Sequence, residues 1–233
     1  MNPNLETFAT EKYAKNVENH PYHKLYNHPA LLSVLPNLHG LSILDAGCGT
    51  GFFAEYFVKQ GATVTAMDIT PQMLERTKTR VPQATLLQAD LTNDLPFENQ
   101  SFDLVFSSLT LQYLENWQHV FSEFARVLKP SGQLLFSVHH PFSEFKSSGQ
   151  HYFVTEKRER EGSAGRQISY RRSLSSITEA LYQTGFVMQR VLEPIPVADY
   201  VQAEPDSYAE LLKSPGLLVV KAQKMMIHSS LKY

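Results

Sequence analysis

The stretch that decides the fold runs Leu41-Ser-Ile-Leu-Asp45-Ala-Gly-Cys-Gly-Thr-Gly51. It begins with a short apolar segment and ends in three glycines, at positions 47, 49 and 51. Glycine adopts backbone conformations that other residues disfavour, so the main chain here can approach a ligand closely. Residues 52–60 then predict a helix, which Gly61 ends. A strand, a glycine-rich turn and a helix in this order are typical of a nucleotide-binding α/β unit.

The spacing of the glycines separates this loop from the pyrophosphate-binding fingerprint. In a dinucleotide fold the third glycine would fall five residues after the first. That position holds Phe52 instead. Glycine-rich turns also occur for purely structural reasons, so the loop has to be weighed together with the segments that follow it.

Strands and helices alternate over the rest of the chain. Apolar segments predict strands at 62–67, 84–88, 102–107, 133–138, 186–192 and 216–223, and helices at 71–80, 117–128 and 174–184. Strands that alternate with helices of this length indicate βαβ units around a largely parallel sheet. Right-handed crossovers then place helices on both faces.

Two acidic residues follow the next two strands. Asp68 ends the second strand, 21 residues after Gly47, where a carboxylate can accept hydrogen bonds from ribose hydroxyls. Asp90 ends the third strand, where it can accept from an adenine amine while Leu91 offers a backbone amide. Each acid by itself fits a helix cap or a turn more commonly. Because the carboxyl ends of parallel strands meet at one edge, the set predicts a nucleoside-type ligand.

These segments resemble the class I S-adenosylmethionine-dependent methyltransferases, at 43–51, 64–68, 88–90, 102–107 and 126–132. The resemblance is to the type 11-like, small-molecule branch, which includes ubiquinone-type and malonyl-carrier-protein methyltransferases. It is close over residues 22–142 and looser over 171–185 and the last strands. It implies a Rossmann-like α/β fold with a seven-stranded sheet in the order 3-2-1-4-5-7-6, the last strand antiparallel.

The resemblance also implies S-adenosyl-L-methionine as the cofactor and assigns residues to it. The methionine moiety would be contacted by Asp45 and Gly47, with Gly49 and Gly51 in the same loop, and by Ser107 at its end. Asp68 would bind the ribose. Ile69 would lie beside adenine, with Asp90 and Leu91 at the adenine edge. Tyr13 and Tyr22 would close over the cofactor, unless they simply pack a helix.

Methyl transfer requires alignment and exclusion of water, and a base only where the nucleophile carries a proton of high pKa. The candidate base is His140, in Val138-His-His-Pro-Phe142, because some related sequences share its His-Pro pair. Its pKa would suit a general base that also contacts substrate. The alternative is that His140 caps the strand and bonds the backbone. Strand alternation is expected to point His139 the other way.

Arg172, in Tyr170-Arg-Arg172, is the candidate for binding a carboxylate or phosphate of the substrate. Its alternative role is a surface ion pair with Glu156, Glu159 or Glu161. Residues 143–172 show no clear period and are expected to form a substrate cover insert, with a partly mobile segment as the alternative. Residues 1–38 are expected to form an N-terminal helical cap. The basic bias of the insert favours an anionic substrate or carrier.

The composition fits one domain spanning residues 1–233. A net charge of -2 and a pI near 6.5 argue against a nucleic-acid substrate. The single cysteine, Cys48, can form neither an internal disulfide nor a thiolate metal site, and no metal is expected. No secretory leader or apolar span is visible, so a cytoplasmic protein without membrane contact is expected.

The predicted function is methyl transfer from S-adenosylmethionine to an unidentified small-molecule or carrier-bound acceptor. A nicotinamide-dependent oxidoreductase is one alternative, although Phe52 and Asp90 both count against it. A non-catalytic nucleoside-binding protein of the same fold is another, with no positive support because every cofactor motif is retained. No amino-methylation motif follows the fourth strand, where Ser107-Ser-Leu-Thr110 stands.

Overall fold

The computed structural model describes residues 4–8, 10–146, 151–162 and 165–225. The strands in this part of the chain are β1 (Ser42–Ala46), β2 (Thr63–Asp68), β3 (Thr85–Gln88), β4 (Phe102–Ser108), β5 (Leu128–His139), β6 (Glu156–Gly162), β7 (Gly165–Arg171), β8 (Phe186–Leu192) and β9 (Leu217–Lys224). Seven of them form one sheet in the order β3-β2-β1-β4-β5-β9-β8, and β6 and β7 form a separate pair.

The helices in the described ranges are α1 (Leu5–Phe8), α2 (Glu11–Asn19), α3 (His28–Leu32), α4 (Phe52–Lys59), α5 (Pro71–Arg80), α6 (Trp117–Val127), α7 (Pro141–Lys146), α8 (Leu174–Gln183), α9 (Tyr200–Ala203) and α10 (Pro205–Lys213). A π-helical turn at His23–Asn27 precedes α3, and a 3₁₀ turn at Leu111–Tyr113 follows β4. Within these residues no helix is both long and apolar enough to cross a bilayer.

The predicted strand order of the main sheet is confirmed. Counted along the chain without the β6–β7 pair, its strands lie in the order 3-2-1-4-5-7-6. The strands β1 to β5 pair in parallel, and β9 runs antiparallel to both of its neighbours. The order reverses between β1 and β4, and open α/β sheets bind ligands at the carboxyl ends beside such a switch point.

The core lies on both faces of this sheet, which explains why its strands read as continuous apolar runs. On one face, Leu44 of β1 belongs to a cluster with α6 and α8, which contribute Phe121 and Leu181. On the other face, Ile43 belongs to a cluster that includes Phe57 of α4 and Leu31 of α3. Successive residues of a strand point to opposite faces, so one strand supplies both clusters.

The described part of the insert at 143–172 contains regular structure that its sequence did not reveal. The strands β6 and β7 pair antiparallel from Glu156↔Arg171 to Gly162↔Gly165. Charged residues occupy successive positions of β6, so the apolar–polar alternation that marks a half-buried strand is absent. The side chain of Asn4 bonds both backbone groups of Ile168, donating at 2.6 Å and accepting at 2.5 Å. This hairpin is thereby joined to the N-terminal segment.

Candidate active site

A cavity of about 330 Å³ opens at the carboxyl ends of β1, β2 and β3. The N-terminal helices form its opposite wall, and Gln167 of β7 reaches it. Nine of the residues predicted to contact the cofactor line this cavity: Tyr13, Tyr22, Asp45, Gly47, Gly49, Asp68, Ile69, Asp90 and Leu91. The sequence therefore located the cavity from strand ends that are distant along the chain.

The glycine loop is shaped by contacts that exclude a side chain. Gly47 has a φ of +82°, and a Cβ added to it would lie 2.4 Å from both Cγ2 and Oγ1 of Thr110. The amides of Gly47 and Cys48 both donate to the carbonyl of Met67, at 2.8 and 2.9 Å, which fixes the loop against β2. Gly51 lies behind the cavity wall and not in it: its added Cβ would meet Thr77 of α5 at 2.8 Å.

The carboxylate of Asp68 is held by two backbone amides. Oδ2 accepts from Gly49 at 2.9 Å, and Oδ1 accepts from Thr70 at 2.9 Å. Burial raises the pKa of this carboxyl, while the hydrogen bonds from Thr70 and Gly49 act in the opposite direction. Each oxygen keeps a second lone pair. The group is therefore a pre-oriented pair of acceptors suited to two neighbouring hydroxyls.

The carboxyl of Asp45 is buried beside it, with 2% of the residue exposed. Its Oδ2 has no hydrogen-bond partner in the described part of the protein. Burial, with a contribution from Asp68, raises the pKa of Asp45 to about 8. Buried polar atoms normally have partners, so this oxygen indicates a ligand that brings a donor. A cationic group would also favour the ionised carboxylate.

At the third strand, Asp90 makes the turn contact that was weighed against its predicted adenine contact, and it also lies at the cavity. Oδ1 of Asp90 accepts from the amide of Thr92 at 2.9 Å, which is a turn-forming bond. The same residue lines the cavity together with the buried Leu91 and with Ile69, whose carbonyl accepts from Gln88 at 3.2 Å.

The two predicted tyrosines differ in how they meet the cavity. The ring of Tyr13, on α2, packs at a tilt of 42° against that of Phe8, with ring centroids 5.0 Å apart, and burial raises the pKa of its hydroxyl well above the usual value. Tyr22 donates its hydroxyl to the carbonyl of Gly216 at 2.9 Å and presents its ring at an angle to His139. Both line the wall formed by the N-terminal residues.

His140 does not line the cavity among the described residues, and His139 does. Nε2 of His140 bonds Glu193 at 2.7 Å and Nδ1 accepts from the amide of Phe142 at 3.1 Å, so both ring nitrogens are engaged elsewhere. The expected orientation was wrong because Val138 packs toward α6, which leaves the alternate position, His139, on the side of the N-terminal helices. The strand-end alternative for His140 matches its contacts.

Arg172 is also directed away from the main cavity. Its Nη2 donates to the carbonyls of Leu114, at 2.5 Å, and Glu115, and its guanidinium lies 4.6 Å from the ring centroid of Trp117. Burial lowers the pKa of Arg172 to about 10. Within the described ranges it makes none of the carboxylate pairs proposed for it, and it is Arg171 that pairs with Glu156, at 3.1 Å. Arg172 instead fixes the turn that follows β4.

Ser107, like Gly51, His140 and Arg172, is a predicted site residue that does not line the cavity. It is fully buried and donates its hydroxyl to the carbonyl of Ala46 at 2.8 Å. The neighbouring Ser108 lines the cavity. Sequence reasoning also missed four polar residues of the N-terminal wall, for which no motif gives a signal: Asn16, His20, His23 and His28. Burial lowers the pKa of His23 to about 4 and of His28 to about 3, so both are neutral imidazoles near neutral pH.

Comparison with known proteins identifies the class to which this architecture belongs. The family described as "Methyltransferase domain" matches residues 44–136. A solved S-adenosylmethionine-dependent methyltransferase from Mesorhizobium loti is 30% identical, with a TM-score of 0.76 over 89% of this chain and 100% of that one. The chain belongs to the class I S-adenosylmethionine-dependent methyltransferases, in the type 11 branch. This membership decides against the nicotinamide-dependent alternative.

The curated relatives differ in how much of each chain the similarity covers. An uncharacterized protein of Haemophilus influenzae is 28% identical over 221 residues, which is 84% of this chain and 86% of that protein. A malonyl-[acyl-carrier protein] O-methyltransferase of Buchnera aphidicola is 37% identical over 142 residues. That match covers 60% of this chain and 57% of the relative, so the similarity spans little more than half its length.

The residues of the cavity fit the methyl donor of the family. The glycine loop leaves open space at Gly49, where an added Cβ would meet no atom within 4 Å. The partnerless oxygen of Asp45 suits the ammonium or sulfonium end of S-adenosylmethionine, and the oriented carboxylate of Asp68 suits its ribose. The fit rests on chemistry that this chain itself presents.

Proposed function

We propose that this protein transfers the methyl group of S-adenosylmethionine to a small-molecule or carrier-bound acceptor. The observation that carries the proposal is the convergence of Asp45, Asp68 and Asp90 on one cavity whose opposite wall is supplied by the N-terminal helices. When bound, S-adenosylmethionine supplies an electrophilic methyl group on a positively charged sulfur. The protein then has to bind, orient and shield the reactants.

The roles of the binding residues follow from their contacts. Asp68 would bind the ribose hydroxyls, because its two oxygens are already oriented by amides. Asp90 and Leu91 would bind the adenine edge, with Ile69 against the ring. Asp45 would bind the ammonium group, which would supply the donor that its Oδ2 lacks. Gly47 and Gly49 would allow this approach.

The two predicted covers would exclude water from the reaction. We assign the cap role to residues 1–38 and the cover role to residues 143–172, within one domain that spans 1–233. Support comes from Tyr13 and Gln167, which reach the cavity from the two segments. The ion pair of Glu18 with Arg80, at 3.2 Å, holds α2 against α5 beside the part of the cavity assigned to the cofactor.

His139 replaces His140 as the candidate base. It lines the cavity at the end of β5, opposite Tyr22. For a hydroxyl acceptor, the carbon–sulfur bond would break as the carbon–oxygen bond forms, and the acceptor's proton would pass to the imidazole of His139. A carrier-bound acceptor is supported by the relative named malonyl-[acyl-carrier protein] O-methyltransferase.

Calorimetry with S-adenosylhomocysteine tests the cofactor half of this proposal. Asp68→Ala removes two oriented acceptors and should weaken binding by about tenfold or more. Asp94→Ala is the matched control, because the side chain of Asp94 is 91% exposed and lies outside the cavity. The wild-type protein should bind in the micromolar range; no heat of binding there, or equal affinities for the two variants, would refute the assignment.

The methyl-transfer half requires a separate measurement. Incubating the protein with methyl-labelled S-adenosylmethionine and fractionated metabolites should transfer label to an acceptor, and His139→Gln should slow this transfer without weakening S-adenosylhomocysteine binding. Tight cofactor binding with no labelled product from a broad metabolite set would favour the non-catalytic alternative.

A further inference from the structure

A small second pocket lies beside the main cavity. Its volume is about 20 Å³, which admits only a group of a few atoms. It is bounded by the ends of β5 and β7 and by residues of α6 and α8, among them Trp117 and Ile177. Gln112 and His139 line both cavities. The candidate base thus separates this pocket from the cofactor site.

Arg171 is a residue of the small pocket's wall, and its guanidinium is only partly hydrogen-bonded within the described residues. The guanidinium carbon lies 5.6 Å from the ring centroid of Phe145. The side chain of Arg171 is 1% exposed. Nη2 is the bonded nitrogen, donating to the carbonyl of His151 at 2.9 Å and pairing with Glu156 at 3.1 Å. Nε and Nη1 have no partner among the described residues. Burial of guanidinium N–H groups without acceptors is costly, so this arrangement indicates an acceptor that enters with a ligand.

The charges around the pocket favour an anion. Two guanidinium groups, of Arg171 and Arg172, stand in its wall. Glu156 offsets the first of them, whereas the hydrogen bonds of Arg172 go to backbone carbonyls, including that of Tyr170 at 3.1 Å. The carboxylate of Glu115 also attracts Arg172, but Glu115 is exposed, and solvent weakens this attraction. Taken together, the two guanidinium groups give the wall of this pocket more positive than negative charge.

We infer that Arg171 is the residue that binds an anionic group of the methyl acceptor, and that this group is a carboxylate. The inference rests on the proposed function, because it identifies the acceptor of that same site. A planar carboxylate in the small pocket would accept from Nε or Nη1 of Arg171. The remainder of the acceptor would then extend past His139 into the main cavity, toward the methyl donor.

Acetate is a suitable probe, since it carries little more than the carboxylate itself. Protein saturated with S-adenosylhomocysteine should bind acetate in the millimolar range and should bind the isosteric neutral acetamide at least about tenfold more weakly. Arg171→Gln should lose at least about tenfold in acetate affinity, and Arg171→Lys several-fold, because lysine keeps the charge but not the planar fork. Arg166→Gln is the matched control: it removes the same charge from β7 at an exposed position, next to Glu159.

The affinity for S-adenosylhomocysteine, measured on every variant, separates the possible failures. If the wild-type protein does not bind it, the proposed function fails. If it binds, but acetate binds no better than acetamide or Arg171→Gln binds acetate like the wild type, the carboxylate site is overturned and the proposed function stands. Phosphate binding more tightly than acetate would overturn the choice of a carboxylate. If Arg171→Gln does not fold, as judged by lost S-adenosylhomocysteine binding, Arg171→Lys decides the test.

Discussion

Gly47→Ala should destabilise the protein far more than an alanine at another left-handed glycine. At a φ of +82°, an alanine incurs about 1–2 kcal/mol of backbone strain. Its Cβ would also lie 2.4 Å from Cγ2 and Oγ1 of Thr110, an overpacking that costs about 1–3 kcal/mol. Together the two effects predict a loss of about 2–5 kcal/mol.

Gly40 provides the matched control. Its φ is +76°, and a Cβ added there would meet no atom within 4 Å. Gly40→Ala should therefore show the backbone cost of about 1–2 kcal/mol and nothing more. The excess for Gly47→Ala measures the contact with Thr110, and at this chain length each 1 kcal/mol lowers Tm by about 2–4 °C.

Urea unfolding of the two single variants, followed by Gly47→Ala with Thr110→Ala, completes the test. The double variant should regain part of the excess, because the two closest atoms of Thr110 are removed while its Cβ remains at 2.9 Å from the new methyl group. Gly47→Ala should also weaken S-adenosylhomocysteine binding. Equal losses at Gly47 and Gly40, or no coupling with Thr110, would refute the close approach as the reason for glycine at position 47.

Three further outcomes are expected. The folded-state pKa of Asp45, about 8, lies above its ordinary 3.8, so between those values the folded protein retains a proton that the unfolded chain has lost. The stability that Asp45 contributes to the cofactor-free protein should therefore fall as pH rises through this window. Urea unfolding of the wild type and of Asp45→Asn isolates this contribution, because the opposing pH dependence of His23 and His28 is common to both proteins: the unfolding free energy of the wild type relative to the variant should be lower at about pH 8 than at about pH 5. His140→Ala should lower the unfolding free energy by about 1–3 kcal/mol, because it removes the bond to Glu193 and leaves the amide of Phe142 without its acceptor. Calorimetry on this variant should find the affinity for S-adenosylhomocysteine unchanged. Arg172→Lys should cost about 1.5–3 kcal/mol through lost carbonyl bonds, and a Tm equal to that of the wild type would contradict its anchoring role.

The sequence predicted most of the sheet because its central strands are buried on two faces and the segments between strands are punctuated by glycine and proline. The helix predicted at 71–80 is found as Pro71–Arg80, and the strand order agrees. The β6–β7 hairpin and the helices α9 and α10 were not predicted. They carry too few buried apolar positions to produce a period, and no residue of α10 is buried.

In the candidate site, too, some residues could be predicted from sequence and others could not. Asp45, Asp68 and Asp90 could be located from sequence because the end of a parallel strand defines its place at the sheet edge. The N-terminal histidines could not, since their approach to this edge depends on contacts such as that of Tyr22 with Gly216, 194 residues away along the chain.

By itself, the sequence determined the nucleoside-binding edge, because the glycine loop and the strand-end acids are local features. Only the tertiary structure decided which member of each neighbouring pair faces a cavity: Ser108 and not Ser107, His139 and not His140. At the end of β7, it is Arg171 and not Arg172 whose guanidinium keeps donors without a hydrogen-bond partner in the described part of the chain. The reason is that the sequence shows that successive residues of a strand point to opposite faces, but not which residue points to which face. The packing on both faces of the sheet decides that.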